Sequence, residues 1–132
     1  STPIIVHWPK GIKEPGRICR EPVHLVDIAP TVASLAGAEN PANGQGIDIT
    51  KTFQNTPLQR DGYLYWEWGS GNAIRQGDLK LVRHNKGKWE LYDLANDRSE
   101  LNNMANQMPE KVSELSNAWY TWWKACTGKD YQ

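Results

Sequence analysis

The side chains best suited to metal binding or nucleophilic catalysis are few and widely separated. The sequence contains two cysteines, Cys19 and Cys126, and three histidines, His7, His24 and His84. No Cys-x-x-Cys pair occurs, so the spacing does not predict a local zinc site. The two cysteines can form a disulfide only if the fold brings them together, and we interpret them as unpaired thiols.

Four polar residues are candidates for contacting a ligand. Glu67, Asn72 and Arg75 surround a predicted loop, and His7 lies at the end of a predicted strand. An arginine binds an oxyanion through paired donors, but an ion pair of Arg75 with Glu67 or Asp78 fits the sequence equally well. A buried, hydrogen-bonded structural role is favoured for His7. We therefore keep His7, Glu67, Asn72 and Arg75 as candidate substrate-binding residues and predict no catalytic or metal-binding residue.

Asp97 and Glu100 are close enough in sequence to suggest a carboxylate pair for acid–base catalysis. The favoured alternative is a tight turn, in which these carboxylates accept hydrogen bonds from the backbone N–H groups of Asn102 and Asn103. On this interpretation the two carboxylates stabilise the chain and do not react.

Seven tryptophans accompany a single phenylalanine, and so many indoles must either build a core or line a ligand surface. Trp119, Trp122 and Trp123 could form an aromatic platform for a sugar. Helical spacing favours core packing for Trp119 and Trp122. Trp123 falls outside the apolar stripe and is expected to be the freer ring.

Positive and negative charges are balanced, with 15 Lys plus Arg and 15 Asp plus Glu in 132 residues. This balance argues against nucleic-acid or polybasic membrane binding, since both require surplus positive charge. We expect Lys80, Arg83, Lys86 and Lys88 to form a solvated strand face and turn. No run approaches the roughly 18 to 20 apolar residues that span a bilayer, and any signal peptide is expected outside this stretch.

Two elements are predicted in the first part of the chain. The continuous apolar run at residues 3–8 predicts a strand covered on both faces. Residues 26–37 predict a helix, with Asp27 as its N-cap, Pro30 in its first turn and Gly37 closing it in the left-handed conformation. Three apolar residues share one stripe of this helix: Ile28, Val32 and Leu35.

After Arg60 the pattern alternates with a period of two, which predicts strands joined by short turns. Four strands are predicted, at residues 61–68, 72–76, 79–84 and 89–93. Gly77 and Asp78 suit a hairpin turn, because glycine tolerates positive φ. Along the first strand the two faces differ: Leu64, Trp66 and Trp68 lie on one, and Tyr63, Tyr65 and Glu67 on the other.

The last predicted element is a helix at residues 109–126, with one apolar stripe. A four-stranded sheet needs a cover on one face, and this helix is the predicted cover. The fold class is therefore predicted to be α+β. Six side chains are predicted to form the core, each contributing roughly 1.5 to 3 kcal/mol: Leu64, Trp66, Leu81, Leu91, Trp119 and Trp122.

The order of these motifs resembles the sulfatase family over nearly the whole chain. The segments that carry the resemblance are residues 1–12, 26–37, 46–49, 64–67, 73–82, 89–94 and 96–105. The resemblance implies that residues 1–57 are the tail of the sulfatase α/β catalytic domain, with an edge strand and a helix left over from that larger domain. It implies that residues 58–132 are a C-terminal antiparallel-sheet subdomain with a terminal helix.

Arylsulfatase-type enzymes hydrolyse sulfate monoesters with a formylglycine made from the Cys or Ser of a Cys/Ser-x-Pro/Ala-x-Arg motif. They hold calcium or magnesium with Asp and Asn or Gln side chains. Neither Cys19 nor Cys126 begins such a motif. The resemblance therefore implies a C-terminal fragment that is inactive alone, with no cofactor of its own and with the nucleophile and metal ligands upstream in the parent.

The same resemblance implies partners and a location. The fragment should contact the remainder of the catalytic domain and, in the intact enzyme, a sulfated small molecule or glycan; the parent is expected to be periplasmic or secreted. Two other functions stay open, an aromatic-rich carbohydrate-binding module and the tail of a related phosphoester hydrolase. Because apolar strands with open edges tend to pair, residues 3–8 are expected to self-associate or to dock onto the meander.

Overall fold

The computed structural model describes residues 2–40 and 44–131. The chain divides into two compact units at the junction of Arg60 and Asp61. Each unit has its own secondary structure and its own buried residues. The functional division expected from the resemblance, a catalytic-domain tail at residues 1–57 and a subdomain at residues 58–132, stays a prediction.

The first unit is built from short helices. A 3₁₀ helix at Leu25–Asp27 leads directly into helix α1 at Ile28–Leu35, and helix α2 follows at Thr50–Phe53. The helix predicted at residues 26–37 is thus present, although its first turn is 3₁₀ and its last helical residue is Leu35. Gly37 has a φ of 66°, which is the left-handed closing conformation that the sequence predicts.

Asp27 does not cap α1 as predicted. Its backbone is already helical, with φ −78° and ψ −14°, and its side chain makes no capping hydrogen bond to α1, whereas an N-cap residue is normally extended. Its buried carboxylate instead accepts from the N–H groups of His24 at 2.7 Å and Ile47 at 3.0 Å, and from the Arg60 guanidinium at 2.5 Å. One carboxylate therefore joins three segments that are far apart in sequence.

Two neutral side chains extend the contacts around Asp27. Nδ1 of His24 accepts from the N–H of Val26 at 3.3 Å, and burial lowers the pKa of this imidazole, which favours the neutral form that can accept. The Thr31 hydroxyl donates to the Asp27 carbonyl at 2.6 Å and accepts from the N–H of Ile49 at 3.1 Å. These bonds hold the segment before α2 against α1.

The prediction of a strand at residues 3–8 is wrong. Residues 2–8 form neither helix nor strand, and Ile5 is 90% exposed. A strand must pair its N–H and C=O groups with a neighbour, and the described residues of the first unit contain no strand. The sheet consists of four strands from within residues 64–93, and docking of residues 3–8 onto it stays a prediction. Self-association through this segment stays a prediction.

The second unit contains the predicted antiparallel meander. The strands follow one another in the sheet in the order of the sequence: β1 (Leu64–Trp68), β2 (Gly71–Gln76), β3 (Leu79–His84) and β4 (Glu90–Asp93). Gly77, in the turn between β2 and β3, has a φ of 56°, as expected for a tight hairpin.

Helix α3, at Pro109–Thr127, packs against one face of this sheet as predicted. Pro109 lies in the first turn, where its missing N–H costs little. Gly128 closes the helix with a φ of 70° and donates its N–H to the Lys124 carbonyl at 2.8 Å. The predicted α+β class, with a four-stranded antiparallel sheet and a C-terminal helix, is therefore confirmed.

The face of β1 that packs against α3 is the opposite of the predicted one. Tyr65 stacks on Trp122, with ring centroids 4.9 Å apart and planes inclined by 2°, and its register partner Ile74 is fully buried. Leu64 and Trp66 alternate with Tyr65 and therefore lie on the other face. The alternating pattern assigns the residues of a strand to two sheet faces. When both faces carry aromatic rings, the pattern does not show which face the helix covers.

Five side chains with no exposed surface form the core of the second unit: Ile74, Leu81, Leu91, Leu115 and Trp119. The prediction is thus right for Leu81, Leu91 and Trp119, and Trp122 packs against them while half-buried. Leu64 is also buried, at 5% exposure, but on the other sheet face, where Trp66 is half-buried. Trp119 donates its indole N–H to the Trp66 carbonyl at 3.1 Å. The largest core ring is therefore buried without losing its hydrogen bond.

Replacing Trp119 by alanine should cost the second unit roughly 3 to 5 kcal/mol, because a large ring and its contacts are removed from a closed core. Trp68→Ala is the matched control: Trp68 is 88% exposed, so its loss should change stability by less than about 0.5 kcal/mol. Urea unfolding followed by circular dichroism gives both values, and amide exchange in β2 and β3 localises them. Equal stabilities would contradict the central position of Trp119.

Replacing Asp27 by alanine should destabilise the first unit by roughly 3 to 5 kcal/mol, since it leaves the guanidinium of Arg60 buried without its carboxylate. The double variant Asp27→Ala with Arg60→Met removes both charges and should recover part of that loss. Amide exchange across residues 25–35 measures the effect. A single variant no less stable than the double one would argue against the ion pair as the joint of this unit.

Candidate functional site

Two of the candidate substrate-binding residues, Glu67 and Asn72, lie side by side. They are register partners on β1 and β2. Trp123 of α3 donates its indole N–H to the Glu67 carboxylate at 2.9 Å, and Tyr131 donates its hydroxyl to Asn72 Oδ1 at 3.1 Å. Trp123, expected to be the freer ring, is therefore bonded and half-buried. Both candidates bind the last segment of the chain to the sheet.

Arg83 lies next to Asn72, with its guanidinium surrounded by aromatic rings. Nε donates to Asn72 Oδ1 at 3.0 Å, and Nη1 donates to the Tyr120 hydroxyl at 2.8 Å. The guanidinium carbon is 4.5 Å from the nearest of four ring centroids and 5.7 Å from the farthest. We term Asn72, Arg83 and these rings the Arg83 cage; the rings are Trp89, Trp119, Tyr120 and Tyr131.

The Arg83 cage holds a cation that is only 8% exposed. In the described part of the chain no carboxylate pairs with Arg83. Aromatic faces offset part of the cost of removing the guanidinium from water, by about 0.5 to 2 kcal/mol for a good contact. The four rings therefore take over part of the stabilising role that a carboxylate counter-ion has for other buried arginines.

Two nitrogen atoms in the Arg83 cage, Arg83 Nη2 and Asn72 Nδ2, are buried without a hydrogen-bond partner. An open depression lies beside the cage and is lined by Tyr120, Thr121, Lys124, Asp130 and Tyr131. Neither Arg83 nor Asn72 is among the lining residues. The two nitrogens are therefore not part of the lining of the depression, and the cage contains no Cys or Ser from which the sulfatase nucleophile could be made.

The other two candidates lie elsewhere. Arg75 is on the sheet face opposite α3, where Nε donates to the Gly77 carbonyl at 2.7 Å and Nη2 lies 3.5 Å from the Asp78 carboxylate. Of the two ion pairs left open by the sequence, this one is formed. His7 is exposed and belongs to the first unit, so it does not have the buried, hydrogen-bonded role favoured from the sequence.

Asp97 forms the predicted turn. Its carboxylate accepts from the N–H groups of Leu101 at 2.9 Å and Asn102 at 2.7 Å. The bond from Asn102, followed by that from Leu101, lowers the pKa of Asp97. Leu101 takes the place predicted for Asn103, and Glu100 instead forms an ion pair with a lysine of β3 at 2.6 Å. The two carboxylates therefore have different partners and do not act as an acid–base pair.

Arg83 is the residue of the candidate site that the sequence prediction missed, since it was expected on a solvated face. The alternation along β3 gives the signal that finds it: Leu79, Leu81 and Arg83 share a face, and Leu81 is fully buried. A charged residue at the third position of a buried stripe indicates an internal cation with partners of its own. Its ring partners come from the residue before β4, from α3 and from the segment after α3.

The described residues do not fit the metal site expected in the parent. In residues 2–40 and 44–131 no three His, Cys, Asp or Glu side chains come together in a group that could hold a metal ion. Cys19 and Cys126 are both exposed and form no disulfide. No helix in the same ranges has the length and hydropathy to cross a bilayer.

Comparison with known proteins agrees with this fold. The family model described as N-sulphoglucosamine sulphohydrolase, C-terminal, matches residues 1–120. An uncharacterized sulfatase of Schizosaccharomyces pombe is 33% identical over 132 residues, covering 89% of this chain and 24% of that protein. The N-acetylglucosamine-6-O-sulfatase of Bacteroides thetaiotaomicron is 32% identical over 116 residues, covering 77% of this chain and 21% of that protein.

Solved structures match as well. The crystal structure of Ps i-CgsB has a TM-score of 0.76 and 27% identity, and the match covers 88% of this chain and 27% of that one. A second structure of Ps i-CgsB, in complex with k-i-k-neocarrahexaose, matches with the same TM-score and coverage at 26% identity. The fold and the matches together define a sulfatase C-terminal portion.

The chain belongs to the sulfatase family, in the group whose model is described as N-sulphoglucosamine sulphohydrolase, C-terminal. It spans about a quarter of the length of the curated relatives it matches. The resemblance inferred from the order of motifs is therefore confirmed.

Replacing Arg83 by lysine should destabilise the second unit by roughly 2 kcal/mol, because an ammonium cannot bond Asn72 and Tyr120 together while lying flat against the rings. Arg98→Lys is the control, since Arg98 is exposed in a turn and its replacement should change stability by less than about 0.5 kcal/mol. Urea unfolding measures both. If the two variants unfold alike, the cage does not depend on the guanidinium.

Proposed function

We propose that this chain completes the fold of a sulfatase that hydrolyses sulfate monoesters of carbohydrates, and that it is inactive alone. Its role is structural: it supplies the C-terminal sheet and helix and a set of surfaces for the rest of the catalytic domain. The nucleophile and the metal ligands come from the upstream part of the parent protein.

The family match carries this proposal. The matched residues 1–120 include all of the first unit and most of the second, so most of the chain has a counterpart in sulfatases. The proposed substrate class rests on the names of relatives, which include an N-acetylglucosamine-6-O-sulfatase and an ulvan-active sulfatase. A neighbouring structure was solved with a neocarrahexaose. All three names point to sulfated saccharides.

The exposed apolar surface of the first unit supports the proposal that a partner covers it in the parent protein. The apolar stripe of α1 and the run at residues 3–8 stay largely in contact with solvent: Ile4, Ile5, Val6, Trp8, Ile28, Val32 and Leu35. In the same unit only Pro30, Ile49 and Phe53 are buried apolar residues among those described. Apolar surface of this extent marks an interaction site. The remainder of the catalytic domain is the proposed partner, because it belongs to the same parent protein.

The sequence supports the inactivity of the chain alone. It contains no Cys/Ser-x-Pro/Ala-x-Arg segment from which a formylglycine could be made. The Arg83 cage holds a buried cation and contains no Cys or Ser that could supply the nucleophile. A wall or a lid of the substrate pocket is therefore the most that this chain contributes to the reaction.

Sulfate release tests the proposal. The purified chain is incubated with N-acetylglucosamine 6-sulfate and 4-nitrophenyl sulfate in calcium, and free sulfate is measured by ion chromatography; we expect none above buffer. A longer protein that includes the upstream coding sequence should release sulfate. The same protein with alanine in place of the Cys or Ser of the motif should not.

Two results of these assays would contradict the proposal. Sulfate release by the purified chain that disappears in Glu67→Gln or Arg83→Met would contradict its inactivity. A longer protein that cleaves 4-nitrophenyl phosphate much faster than the sulfate would identify a phosphoester hydrolase, the alternative left open by the sequence.

A further inference from the structure

One end of the sheet in the second unit joins two turns. The β1–β2 turn and the β3–β4 turn are linked there, because the N–H of Asn85 donates to the Ser70 carbonyl at 3.0 Å. The Ser70 hydroxyl also lies 3.3 Å from Nδ1 of His84. We term five residues at this end the turn-end patch: Trp68, Ser70, His84, Lys86 and Lys88.

The turn-end patch is open at its centre. Trp68 on β1 pairs with Gly71 on β2, and Gly71 pairs with His84 on β3, so the three share one sheet face. That face is opposite α3, since Trp68 alternates with Glu67. Gly71 has no side chain, and a Cβ placed on it would meet only the Trp68 carbonyl, at 3.4 Å. The backbones of β1 and β3, which carry Trp68 and His84, lie about 10 Å apart, and Gly71 between them leaves an opening on this face.

Trp68 is more exposed to solvent than is usual for so large an aromatic side chain. It is 88% exposed, whereas Trp119 of the same unit has no exposed surface. Indoles combine an apolar face with an N–H donor, a combination suited to a ligand that carries both C–H and hydroxyl groups. A sugar ring has this composition.

The turn-end patch is positively charged. Lys86 and Lys88 are exposed, and no carboxylate of the described chain pairs with either, although Lys80, Lys111 and Lys124 each have an acidic partner. Between residues 68 and 88 the single acidic residue is Asp78, which lies in the turn at the other end of the sheet.

The carboxylates nearest the patch in sequence have other partners. Glu67 bonds Trp123 on the opposite sheet face, and Glu90 accepts from the Tyr92 hydroxyl at 3.0 Å. Both carboxylates keep their negative charge, but neither forms an ion pair with Lys86 or Lys88 in the described chain, so the two ammonium groups are available to an anion.

Lys86 occupies a backbone conformation that lysine does not favour. Its φ is 54°, beside Asn85 at 51°, and the turn is closed by the Gly87 N–H and the His84 carbonyl at 2.9 Å. A residue with a Cβ costs roughly 1 to 2 kcal/mol in the left-handed region, whereas glycine has no such cost. Glycine at position 86 would therefore stabilise the turn and remove one charge.

We propose that the turn-end patch binds a sulfated sugar unit of a carbohydrate chain. The indole of Trp68 stacks on the sugar ring over the opening at Gly71, and Lys86 and Lys88 contact the sulfate. The ligand class rests on the proposed function, but the site does not need the upstream nucleophile. Binding is therefore measurable on the 132-residue chain itself, independently of hydrolysis.

Titration of the ¹⁵N-labelled chain with a carrageenan oligosaccharide and its desulfated counterpart tests this site. The sulfated form should shift the indole N–H of Trp68 and the amides of Lys86 and Lys88. Trp68→Ala should weaken binding about tenfold, and removing the sulfate should do the same. Lys86→Gln with Lys88→Gln should weaken binding about tenfold in low salt, with little further effect in high salt.

Lys86→Gly separates a binding role from a structural one, because it should raise the free energy of unfolding while weakening binding. Lys51→Gln with Lys129→Gln is the charge-matched control and should leave binding unchanged. Three outcomes would overturn the proposal: no shift at millimolar oligosaccharide, equal shifts with polyglutamate, or binding that Trp68→Ala does not alter. None of them affects the sulfate-release test of the longer protein.

Discussion

The second unit depends on the enclosure of one indole ring. Trp119 has no exposed surface, and burial of its N–H would be costly if the group had no acceptor. The Trp66 carbonyl of β1 supplies that acceptor at 3.1 Å. Because Trp66 belongs to β1, the bond joins α3 directly to the edge strand of the sheet. Packing and hydrogen bonding therefore fix the same position of α3 on the sheet.

The position of α3 decides what surrounds Arg83. Trp119 and Tyr120 come from α3, Trp89 precedes β4 and Tyr131 follows the helix, so four rings reach the guanidinium only when the helix is docked. Asn72 lies at the centre of the polar contacts, since its Oδ1 accepts from both Arg83 and Tyr131. The buried cation is thus a consequence of helix docking and also a condition for it.

Sequence reasoning predicts the meander and the last helix well because both follow from local rules. Period-two alternation, Gly77 at a hairpin and a 3.6-residue apolar stripe need no knowledge of distant contacts. The sheet face could not be predicted in this way. Tyr65 and Trp66 are both aromatic, and only the stacking of Tyr65 on Trp122, fifty-seven positions along the sequence, tells which one faces α3.

Long-range contacts also explain the other errors. Aspartate is a common N-cap residue, but the Asp27 carboxylate accepts hydrogen bonds from Ile47 and Arg60. A local sequence pattern for a helix contains no information about such distant residues. The run at residues 3–8 has the composition of a covered strand, yet a strand exists only with a partner. Among the candidate site residues, Glu67 and Asn72 were found together because they flank one turn. Arg83 was missed because its ring partners lie on other elements.

The order β1-β2-β3-β4 has a consequence for biosynthesis. Each strand pairs with the next one in the sequence, so the loops that must close are short and the entropy lost in closing them is small. The hairpins can therefore form before α3 packs against them. Until α3 arrives, Ile74, Leu81 and Leu91 have no cover, and this nascent intermediate is the stage at which chaperones and aggregation compete for the chain.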